Sequence, residues 1–507
     1  MTTSEALRPM GVPTSLASLL AGAPDVGVTG VSLSSRAVRP GDLYVALPGA
    51  STHGARFAGQ AVDAGAVAIL TDADGAELAR AAQVGVPVVV LPHPRAELAR
   101  ISVAVYGHPG ERLDLFGITG TTGKTSTTFL LAAALTAAGR RVGTIGTIGF
   151  ALAGQSLTTA RTTVTTPESP DLQALLAYLV EHDADAVAME VSSHALALGR
   201  VDGLVFDVAA FTNLGRDHLD FHPDQEAYFQ AKASLFRDGR CRAAAVNIDD
   251  DYGRRLAEEV RAAGLRLVTT GYEAPADYHP LTREVLADGR SQVRVATPAG
   301  PREFTLGLFG AFNVRNAVTA TAILDLAGID LDQALPGFAE AQVPGRMQRV
   351  DLGAGAPSVV VDFAHTPESV TAALAALPEG RRIAVLGCGG DRDQAKRAPM
   401  GAAAAAAAAV VVVTDDNPRS ESPEAIREVI LAGAREAAAV SGAQVFDGGQ
   451  RCDAIRLALS LAEPGDWVAL LGKGHETGQQ LADRSIEFDD RVVAAQEWAR
   501  LNGDTDA

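Results

Sequence analysis

The sequence predicts an α/β protein of three domains, and three observations support this prediction. Short, fully apolar runs alternate with helical segments, the pattern of parallel sheets that are covered on both faces. The chain has 507 residues, and at roughly 150 residues per domain this length corresponds to three or four domains. Clusters of chain-breaking residues at 106–110 and 343–346 divide it into segments 1–110, 111–343 and 344–507.

The first and third segments carry the clearest strand pattern. In the first segment the apolar runs are 43–47, 66–70 and 86–91. In the third they are 359–361, 383–386, 410–413 and 468–471. The Ala-rich run 402–409 is predicted to be helical, because alanine has the highest helix propensity.

The composition excludes several classes of protein. Lys and Arg number 43 against 61 Asp and Glu, a formal net charge of −18, which argues against a nucleic-acid binder without a local basic patch. The three cysteines, Cys241, Cys388 and Cys452, show no CxxC spacing and predict neither a disulfide framework nor a zinc site. No secretion signal and no apolar run near the ~20 residues of a membrane span is visible. We expect a cytoplasmic protein.

The segment after the apolar run 113–119 predicts a phosphate-binding loop in the second domain. A strand leads into a glycine-rich turn, a Lys-Thr pair and a helix that extends to about Ala138. Backbone N–H groups at such a helix start face phosphates, the lysine reaches the β and γ oxygens, and the threonine hydroxyl can bind Mg²⁺. The loop has the shorter GxxGKT form, since Ile118 occupies the first glycine position of the usual motif. The nucleotide-contacting candidates are Gly120, Thr121, Thr122, Gly123, Lys124, Thr125 and Ser126. A glycine-rich turn without a nucleotide is the alternative.

Two further strands are expected to end beside this loop. The run 184–189 leads to Glu190, and Phe206–Phe211 leads to the segment that contains His218. Ligands of open α/β sheets bind outside the carboxyl ends of the strands, so both residues are candidates to bind Mg²⁺. Alternatively, Glu190 caps the next helix and His218 is a surface histidine.

Ten segments in order along the chain resemble the Mur ligases, the ATP-dependent amino-acid ligases of peptidoglycan precursor synthesis. They are GITGTTGKTSTT, MEVSSHALALGR, FTNLGRDHLDFH, YFQAKASLF, GAFNVRNAV, VPGRMQRV, VDFAHTPES, GCGGDRD, TDDNPR and GKGHE. Within the family the chain resembles members that add 2,6-diaminopimelate to UDP-N-acetylmuramoyl-L-alanyl-D-glutamate.

The resemblance implies a role for each domain. The first would bind the UDP end of the substrate, the second would be a P-loop-type ATPase domain with a parallel or mixed sheet, and the third would be Rossmann-like and bring the amino acid. It assigns six residues to the UDP-muramoyl dipeptide: Leu33, Ser35, Thr165, Thr166, Ser192 and Arg200. The loop of Thr165 and Thr166 could alternatively be a capped helix start.

The resemblance also implies the nucleotide and metal chemistry. ATP and Mg²⁺ are the expected cofactors, and Lys232 matches a lysine that the family carbamylates with CO₂ to make an anionic metal ligand. Asn316 and Arg346 resemble positions that contact the adenine and the phosphates. Asp362 and His365 fall near further nucleotide contacts of the family.

Three motifs of the third domain each follow an apolar run: GCGGDRD, TDDNPR and GKGHE. The carboxyl ends of parallel strands lie at one edge of a sheet, so the three motifs should meet in one crevice. Diaminopimelate carries two carboxylates and two amines, so its pocket needs guanidinium groups for a distal carboxylate and an acid for the distal ammonium. Arg392, Arg419 and Glu476 supply these groups. The full set of candidates is Arg392, Asp416, Asn417, Pro418, Arg419, Gly472 and Glu476. As an isolated tetrapeptide, Asp416–Arg419 would be a simple turn.

The expected reaction is ligation through an acyl-phosphate intermediate by a monomeric enzyme with small-molecule substrates. L-lysine is the alternative acceptor, and family members that add lysine generally lack the arginine that corresponds to Arg419. Folylpolyglutamate synthetase is a rival of the same fold, which the VSSHALALGR segment disfavours. A P-loop ATPase switch without ligation, or a nucleotide-binding scaffold without turnover, are rivals of another class.

Overall fold

The computed structural model describes residues 7–9, 11–49, 51–157, 164–218, 221–272, 275–286, 288–353 and 355–503. Leu219 and Asp220 of the FTNLGRDHLDFH segment lie outside these residues. The chain forms two compact units. The first comprises Met1–Pro280, Val295–Arg302 and Arg315–Gly337, and the second comprises Leu281–Arg294, Glu303–Val314 and Phe338–Ala507. The boundaries at residues 110 and 343 remain a prediction.

The N-terminal part of the first unit contains a parallel sheet of four strands. In sheet order they are Gly30–Ser32, Asp42–Ala46, Ala68–Thr71 and Val88–Val90. The flanking helices are Ala58–Asp63, Ala73–Ala81 and Pro94–Val105. Alternate residues of the second strand pack into different cores: Leu43 and Val45 enter one, and Tyr44 and Ala46 enter the other. Burial on both faces explains why these strands are continuous apolar runs.

The main sheet of the first unit has eight strands. Their order is Gln155–Leu157, Gly149–Leu152, Val142–Gly146, Ala186–Glu190, Asp114–Thr119, Phe206–Phe211, Cys241–Asn247 and Arg266–Thr270. The last six are parallel, and the first two form an antiparallel edge. The helices are Lys124–Ala137, Ser169–Glu181, Ser193–Ala197, Gln225–Ala233 and Asp251–Ala262. The predicted parallel or mixed sheet of the second domain is confirmed.

The second unit contains a sheet of six strands. Their order is Gln348–Val350, Ser358–Asp362, Trp467–Leu471, Arg382–Leu386, Val410–Thr414 and Gln444–Gly449, of which only the first is antiparallel to its neighbour. The helices are Pro367–Ala376, Arg397–Ala407, Pro423–Ser441, Arg451–Leu461 and Asp490–Leu501. Alternating strand residues fill a core on each side, as Val411 and Val412 illustrate. The α/β class predicted from the sequence is therefore confirmed.

The predicted Ala-rich helix spans Arg397–Ala407. It ends before Ala409 because the N–H of Ala409 already bonds to the carbonyl of Arg382, at the start of the neighbouring strand. Gly401 and Gly433 lie where this helix contacts Pro423–Ser441, and a Cβ on Gly433 would lie 2.7 Å from the carbonyl carbon of Ala398. The two helices can therefore approach closely only because these residues lack a side chain.

Small elements complete the structure. A three-stranded sheet consists of His279–Val285, Ser291–Ala296 and Arg302–Leu306, and two-stranded sheets pair Thr14–Ser15 with Gly27–Val28 and Gly478–Gln480 with Ser485–Glu487. The remaining α-helices are Leu16–Leu19, Ala311–Leu326, Leu331–Ala334 and Gly337–Glu340. Short 3₁₀ helices occur at Ser35–Ala37, Gly54–Phe57, Pro109–Arg112 and Ser234–Phe236. Among the described residues, no helix is both long enough and apolar enough to cross a bilayer.

Candidate active site

The predicted phosphate loop is a sharp turn between the strand Asp114–Thr119 and the helix Lys124–Ala137. Gly120 and Gly123 have φ values of 146° and 85°, which disfavour residues with a side chain. A Cβ on Gly120 would also collide with the hydroxyl of Thr212. The first helical hydrogen bond runs from the N–H of Thr127 to the carbonyl of Gly123. The N–H groups of Lys124, Thr125 and Ser126 precede it and form the helix start where an anion binds.

Two lysine ammonium groups meet at this loop. Lys124 Nζ donates to the carbonyl oxygens of Gly120 and Thr121, each at 2.9 Å. Lys232 Nζ, from the helix Gln225–Ala233, donates to the same Gly120 oxygen at 2.8 Å. Two lysine side chains thus converge on one carbonyl oxygen of this turn, and the ammonium form of either would attract a polyanionic ligand.

Lys232 is buried, with 1 % of its surface exposed. Its ammonium lies 4.6 Å from the centroid of the Tyr228 ring. Burial and, secondly, repulsion from Lys124 lower the pKa of Lys232 well below its usual value. A neutral, nucleophilic amine is therefore accessible at this position at a much lower pH than for a surface lysine.

The loop is held from the other side by two residues that the sequence analysis did not single out. Thr212 Oγ donates to the carbonyl of Thr122 at 2.6 Å. Asn213 Oδ1 accepts from the N–H of Thr122 at 3.0 Å, and the N–H of Thr121 donates to the carbonyl of Asn213 at 2.9 Å. Their position directly after the strand Phe206–Phe211 is the signal that could have identified them.

Glu190 is the last residue of the strand Ala186–Glu190 and is 1 % exposed. Its two carboxylate oxygens accept from the N–H and the hydroxyl of Thr147, at 2.9 and 3.2 Å. Thr147 Oγ lies 3.0 Å from Thr165 Oγ, and Thr166 Oγ donates to the carbonyl of Glu190 at 2.9 Å. The structure thus brings Glu190, Thr165 and Thr166 together. It also shows that Glu190 does not cap a helix: Ser192 caps Ser193–Ala197 by accepting from the N–H of Ala195.

Ser192 and Arg200, which are also assigned to the UDP-muramoyl dipeptide, both contact Thr166. Ser192 N–H donates to Thr166 Oγ, and Arg200 donates to the carbonyl of Thr166, both at 3.0 Å. Arg200 also pairs with Glu168 at 2.9 Å, and Arg95 binds the other oxygen of that carboxylate at 3.1 Å. Arg95 belongs to an open cleft of ≈ 400 Å³ in the N-terminal part of the unit.

Leu33 and Ser35 line this cleft, together with Arg36 and Phe57. Ser35 Oγ donates to the side chain of Gln60 at 2.9 Å. The cleft combines an exposed aromatic ring, two arginines and hydroxyl groups, which suits a nucleotide with a diphosphate. All six residues predicted for this substrate therefore lie in or along one continuous set of contacts within the first unit.

Asn316 and His218 have different surroundings. Asn316 is buried, and its side-chain oxygen would lie 2.5 Å from a Cβ on Gly123, so it directly adjoins the phosphate loop. His218 has a positive φ of 53°, lies 3.5 Å from Asp217 and packs edge-on against His194. Among the described residues, no group of three or more His, Cys, Asp or Glu side chains is arranged to hold a metal ion. Glu190 and His218 therefore do not form a preassembled cluster of that kind.

The second unit brings together the predicted amino-acid site. Asn417, in the loop after the strand Val410–Thr414, donates from Nδ2 to Glu476 at 2.9 Å. The same carboxylate oxygen lies 3.2 Å from the fully buried ammonium of Lys473. Gly390 N–H donates to the carbonyl of Asn417 at 2.9 Å. The three motifs predicted to converge at the carboxyl ends of the strands do converge.

Arg419 has a left-handed φ of 51° and is half-buried. Its guanidinium donates through Nη1 to the carbonyl of Gly390 and through Nε to the side chain of Gln480, both at 2.8 Å. Arg392 is exposed, and its Cγ and Arg419 Nη1 would lie 3.8 and 2.9 Å from a Cβ on Gly389. The two arginines therefore flank the same glycine.

Asp416, Pro418 and Gly472, the remaining residues predicted for this site, are buried. Burial raises the pKa of the Asp416 carboxyl. Gly472 has a φ of 112°, and a Cβ there would lie 2.8 Å from Asp416 Oδ2. The Pro418 carbonyl accepts from the N–H of Glu421 at 3.1 Å.

Glu421 is a further residue that the sequence analysis missed. It binds Arg397 with both oxygens at 2.9 Å and accepts from the N–H of Asp391 at 2.6 Å. These hydrogen bonds, with that from Arg397 the strongest, lower its pKa to about 2. It thereby ties the loop of Arg392 to the loop of Arg419.

The remaining candidates, Arg346, Asp362 and His365, also lie in the second unit. The Arg346 guanidinium stacks over the ring of Phe363 at 4.8 Å. Asp362 accepts from the N–H of Met347 at 2.7 Å, and burial raises the pKa of its carboxyl. His365 contacts the carbonyl of Phe363 at 2.8 Å. Asp362 and Phe363 thus contact Met347 and Arg346, the last two residues of the VPGRM segment.

Comparison with known proteins gives consistent matches along the chain. A model of the Mur ligase family, catalytic domain, matches residues 27–102, one of the Mur ligase middle domain matches 118–324, and one of the Mur ligase, glutamate ligase domain, matches 345–474.

Named relatives match over nearly the full length. The UDP-N-acetylmuramoyl-L-alanyl-D-glutamate–2,6-diaminopimelate ligase of Streptomyces avermitilis is 46 % identical over 494 residues, which cover 94 % of each chain. The protein of the same name from Corynebacterium glutamicum is 44 % identical over 487 residues, 94 % of this chain and 93 % of that one. A solved structure of a ligase with this name has a TM-score of 0.71 at 29 % identity and covers 97 % of this chain and 100 % of its own.

Proposed function

The chain belongs to the Mur ligase family, and we propose on this basis that it ligates 2,6-diaminopimelate to UDP-N-acetylmuramoyl-L-alanyl-D-glutamate at the expense of ATP. This reaction serves the synthesis of the peptidoglycan precursor of the cell wall. The observation that carries the proposal is the near full-length similarity to ligases with this name. The phosphate loop with its two lysines and the arginine-bearing site of the second unit are what such a reaction needs.

The first step forms an acyl-phosphate. The free D-glutamyl carboxylate attacks the γ-phosphorus, the bond to the bridging oxygen breaks, and ADP leaves. Two anions must approach each other, and the ammonium of Lys124 lowers that barrier. In the structure this ammonium is held by two neutral carbonyl oxygens. The N–H groups of Lys124, Thr125 and Ser126, at the start of the helix, orient the phosphates.

The second step makes the peptide bond. The amine of diaminopimelate attacks the acyl carbon, phosphate leaves, and the amine loses a proton. The ammonium of the incoming amino acid must be deprotonated first, so we expect the rate to rise with pH near neutrality. The side chains of the second unit hold the amino acid by its other end and leave the reacting amine free to attack.

The oxygen-rich donors around the loop fit Mg²⁺. Mg²⁺ prefers oxygen ligands, and among the described residues the buried Glu190 carboxylate receives hydrogen bonds only from Thr147, which leaves acceptor positions on both oxygens. Thr125, Glu190, His218 and a carbamylated Lys232 are the residues that would hold it. When bound, Mg²⁺ offsets the negative charge of the triphosphate. His218 is the least typical member of this set because its donor atom is nitrogen.

Carbamylation of Lys232 is part of the proposal. The neutral amine attacks CO₂, a C–N bond forms, and a proton is released, which leaves an anionic carbamate. The lowered pKa of Lys232 supports this step because only the unprotonated amine is nucleophilic. Modification also places an anion beside Lys124 and so replaces the repulsion between two ammonium groups by an attraction.

The contacts described above support the sites proposed for the two other substrates. The cleft with Leu33 and Ser35 would hold the uridine diphosphate, and the contacts through Glu168 and Arg200 would lead the dipeptide to Thr165, Thr166 and the phosphate loop. In the second unit, Arg419 and Arg392 would bind the distal carboxylate of diaminopimelate. Glu476 and Asn417 would bind its distal ammonium group, for which Glu476 is the acidic partner.

Three further assignments belong to the proposal. The domains are 1–110 for the UDP substrate, 111–343 for ATP and 344–507 for the amino acid. Asn316 and Arg346 contact the nucleotide. The enzyme acts as a monomer in the cytoplasm.

Phosphate release by the purified protein tests the proposed function. ATP and Mg²⁺ are supplied with the nucleotide dipeptide and either diaminopimelate, L-lysine or no amino acid. We expect release to require the nucleotide dipeptide and to be fast only with diaminopimelate. Equal release with lysine would contradict the assigned acceptor, and release that needs neither substrate would indicate an ATPase switch instead of a ligase.

A further inference from the structure

The short strand Gly478–Gln480 is hydrogen-bonded to the loop Asp416–Arg419 through Gln479 and Gln480. Gln479 Nε2 donates to the carbonyl of Asp416 at 2.5 Å, and the N–H of Gln480 donates to Asn417 Oδ1 at 2.9 Å. The N–H of Arg419 donates to the carbonyl of Gln480 at 3.1 Å. The side-chain oxygen of Gln480 then accepts from Arg419 Nε at 2.8 Å. A single glutamine thus contacts both the backbone and the guanidinium of Arg419.

These contacts fix the orientation of the guanidinium. A guanidinium has five N–H donors in one plane. Gln480 occupies the donor on Nε, and the carbonyl of Gly390 occupies one donor on Nη1 at 2.8 Å. Among the residues that the structure describes, Nη2 and the second N–H of Nη1 have no hydrogen-bond partner. At the Nη1–Nη2 end of a guanidinium, two N–H groups point in parallel away from the side-chain stem, which is the geometry that binds a carboxylate through both oxygens.

The charge of Gln480 matters as much as its position. Its amide oxygen is neutral, so it orients Arg419 without neutralising the positive charge that a substrate carboxylate would use. An acid in this place would hold the guanidinium more strongly but would compete with that carboxylate. Gln480 is exposed, so its side chain serves no core packing that would explain it otherwise.

We propose that Gln480 is a positioning residue for amino-acid selection: it holds Arg419 so that the Nη1–Nη2 end of the guanidinium receives the distal carboxylate of the acceptor. This inference rests on the proposed function, because it presupposes an acceptor with a second carboxylate. It adds a residue from the hairpin formed by Gly478–Gln480 and Ser485–Glu487 to a selection that the arginine alone would otherwise make.

Replacement of Gln480 by methionine tests the inference, since methionine keeps the length of the side chain but removes the strong acceptor. We expect KM for diaminopimelate to rise about fivefold, which is about 1 kcal/mol of binding free energy. We expect kcat, KM for ATP and KM for the nucleotide dipeptide to stay close to the wild-type values. The slow reaction with lysine should not change. Gln444→Met, on an exposed strand position of the same unit, is the matched control.

A double-mutant cycle separates positioning from a general structural effect. If Gln480 acts through the guanidinium, Gln480→Met has no further effect on KM for diaminopimelate in an Arg419→Ala background. An equal rise in both backgrounds, or no rise in the wild-type background, would overturn the role of Gln480. Thermal melting of each variant checks the fold, and Gln480→Ala, which keeps the backbone hydrogen bonds, replaces the methionine variant if that one does not melt cooperatively.

Failure of the underlying function gives a different result. A wild-type enzyme that shows no preference for diaminopimelate over lysine would contradict the assigned acceptor and this inference with it. A selective wild-type enzyme whose Gln480→Met variant has an unchanged KM would contradict the inference alone.

Discussion

Lys124 and Lys232 donate to the same atom, the carbonyl oxygen of Gly120, at 2.9 and 2.8 Å. They lie 108 positions apart in the sequence, on the helices Lys124–Ala137 and Gln225–Ala233. Lys124 is half-buried, whereas Lys232 is almost completely buried. This difference in environment separates the two lysines: burial and repulsion from Lys124 lower the pKa of Lys232 well below its usual value, which supports the proposal that Lys232 is the lysine that reacts with CO₂.

Replacement of Lys124 by methionine should lower kcat about 10³-fold, the upper range for removal of one group that stabilises transition-state charge. The apparent affinity for diaminopimelate should change little, because Lys124 belongs to the first unit and the residues proposed for diaminopimelate belong to the second. Steady-state kinetics measure both values. Lys396→Met, at the start of the helix Arg397–Ala407, is the control and should keep full activity. Retention of more than a tenth of the activity by the Lys124 variant would contradict the role given to this ammonium.

Carbamylation of Lys232 should be directly visible. Protein incubated with ¹³C-labelled bicarbonate should give one carbamate signal in its NMR spectrum, and Lys232→Met should lack that signal. Activity should fall in buffers freed of CO₂ and return when bicarbonate is added. Full activity without CO₂, in a wild-type protein that gives no carbamate signal, would contradict the proposal.

The lowered pKa of Lys232 also predicts how stability depends on pH. Between this lowered pKa and the usual value of 10.5, the unfolded chain binds one more proton than the folded chain at this residue. The free energy of unfolding therefore rises with pH across that interval. Lys232→Met has no such titration. In CO₂-free buffer, the melting temperature of the wild type relative to the variant should increase as the pH is raised towards 10.5, whereas a difference that is constant with pH would show that Lys232 titrates normally.

The buried ion pair Arg451–Asp490 should be essential for the stability of the second unit. Both side chains are completely buried, and two hydrogen bonds of 2.7 Å join them. Asp490→Ala would leave an unpaired buried guanidinium, at a cost of about 3–5 kcal/mol. Urea unfolding measures this loss. Asp483→Ala removes the partner of Arg484 in an exposed pair, and it should cost well under about 1 kcal/mol; similar losses for both variants would contradict the prediction.

The fold and much of the site could be predicted from the sequence because the information is local. Burial on both faces makes a run such as Val410–Thr414 continuously apolar, and the carboxyl ends of such strands mark where polar motifs meet. The antiparallel edge formed by Gly149–Leu152 and Gln155–Leu157 was not predicted. These strands are short and partly exposed. The turn between them is marked by the positive φ values of Ala153 and Gly154, which the structure shows but the sequence does not.

The contacts that orient the site side chains could not be predicted, because they join residues that are distant in sequence. Thr147 binds Glu190 across 43 positions, and Gln480 binds Arg419 across 61. No sequence pattern around a threonine or an exposed glutamine predicts such a partner. The strand pairing decides the contact, and it depends on the whole sheet.

The most direct test of the account is a competition between acceptors. The enzyme receives ATP, Mg²⁺ and UDP-N-acetylmuramoyl-L-alanyl-D-glutamate together with equal concentrations of diaminopimelate and L-lysine, and mass spectrometry identifies the nucleotide product. We predict that nearly all product contains diaminopimelate and that Arg419→Ala loses this preference. A product that contains mainly lysine, or ATP hydrolysis without any ligated product, would contradict it.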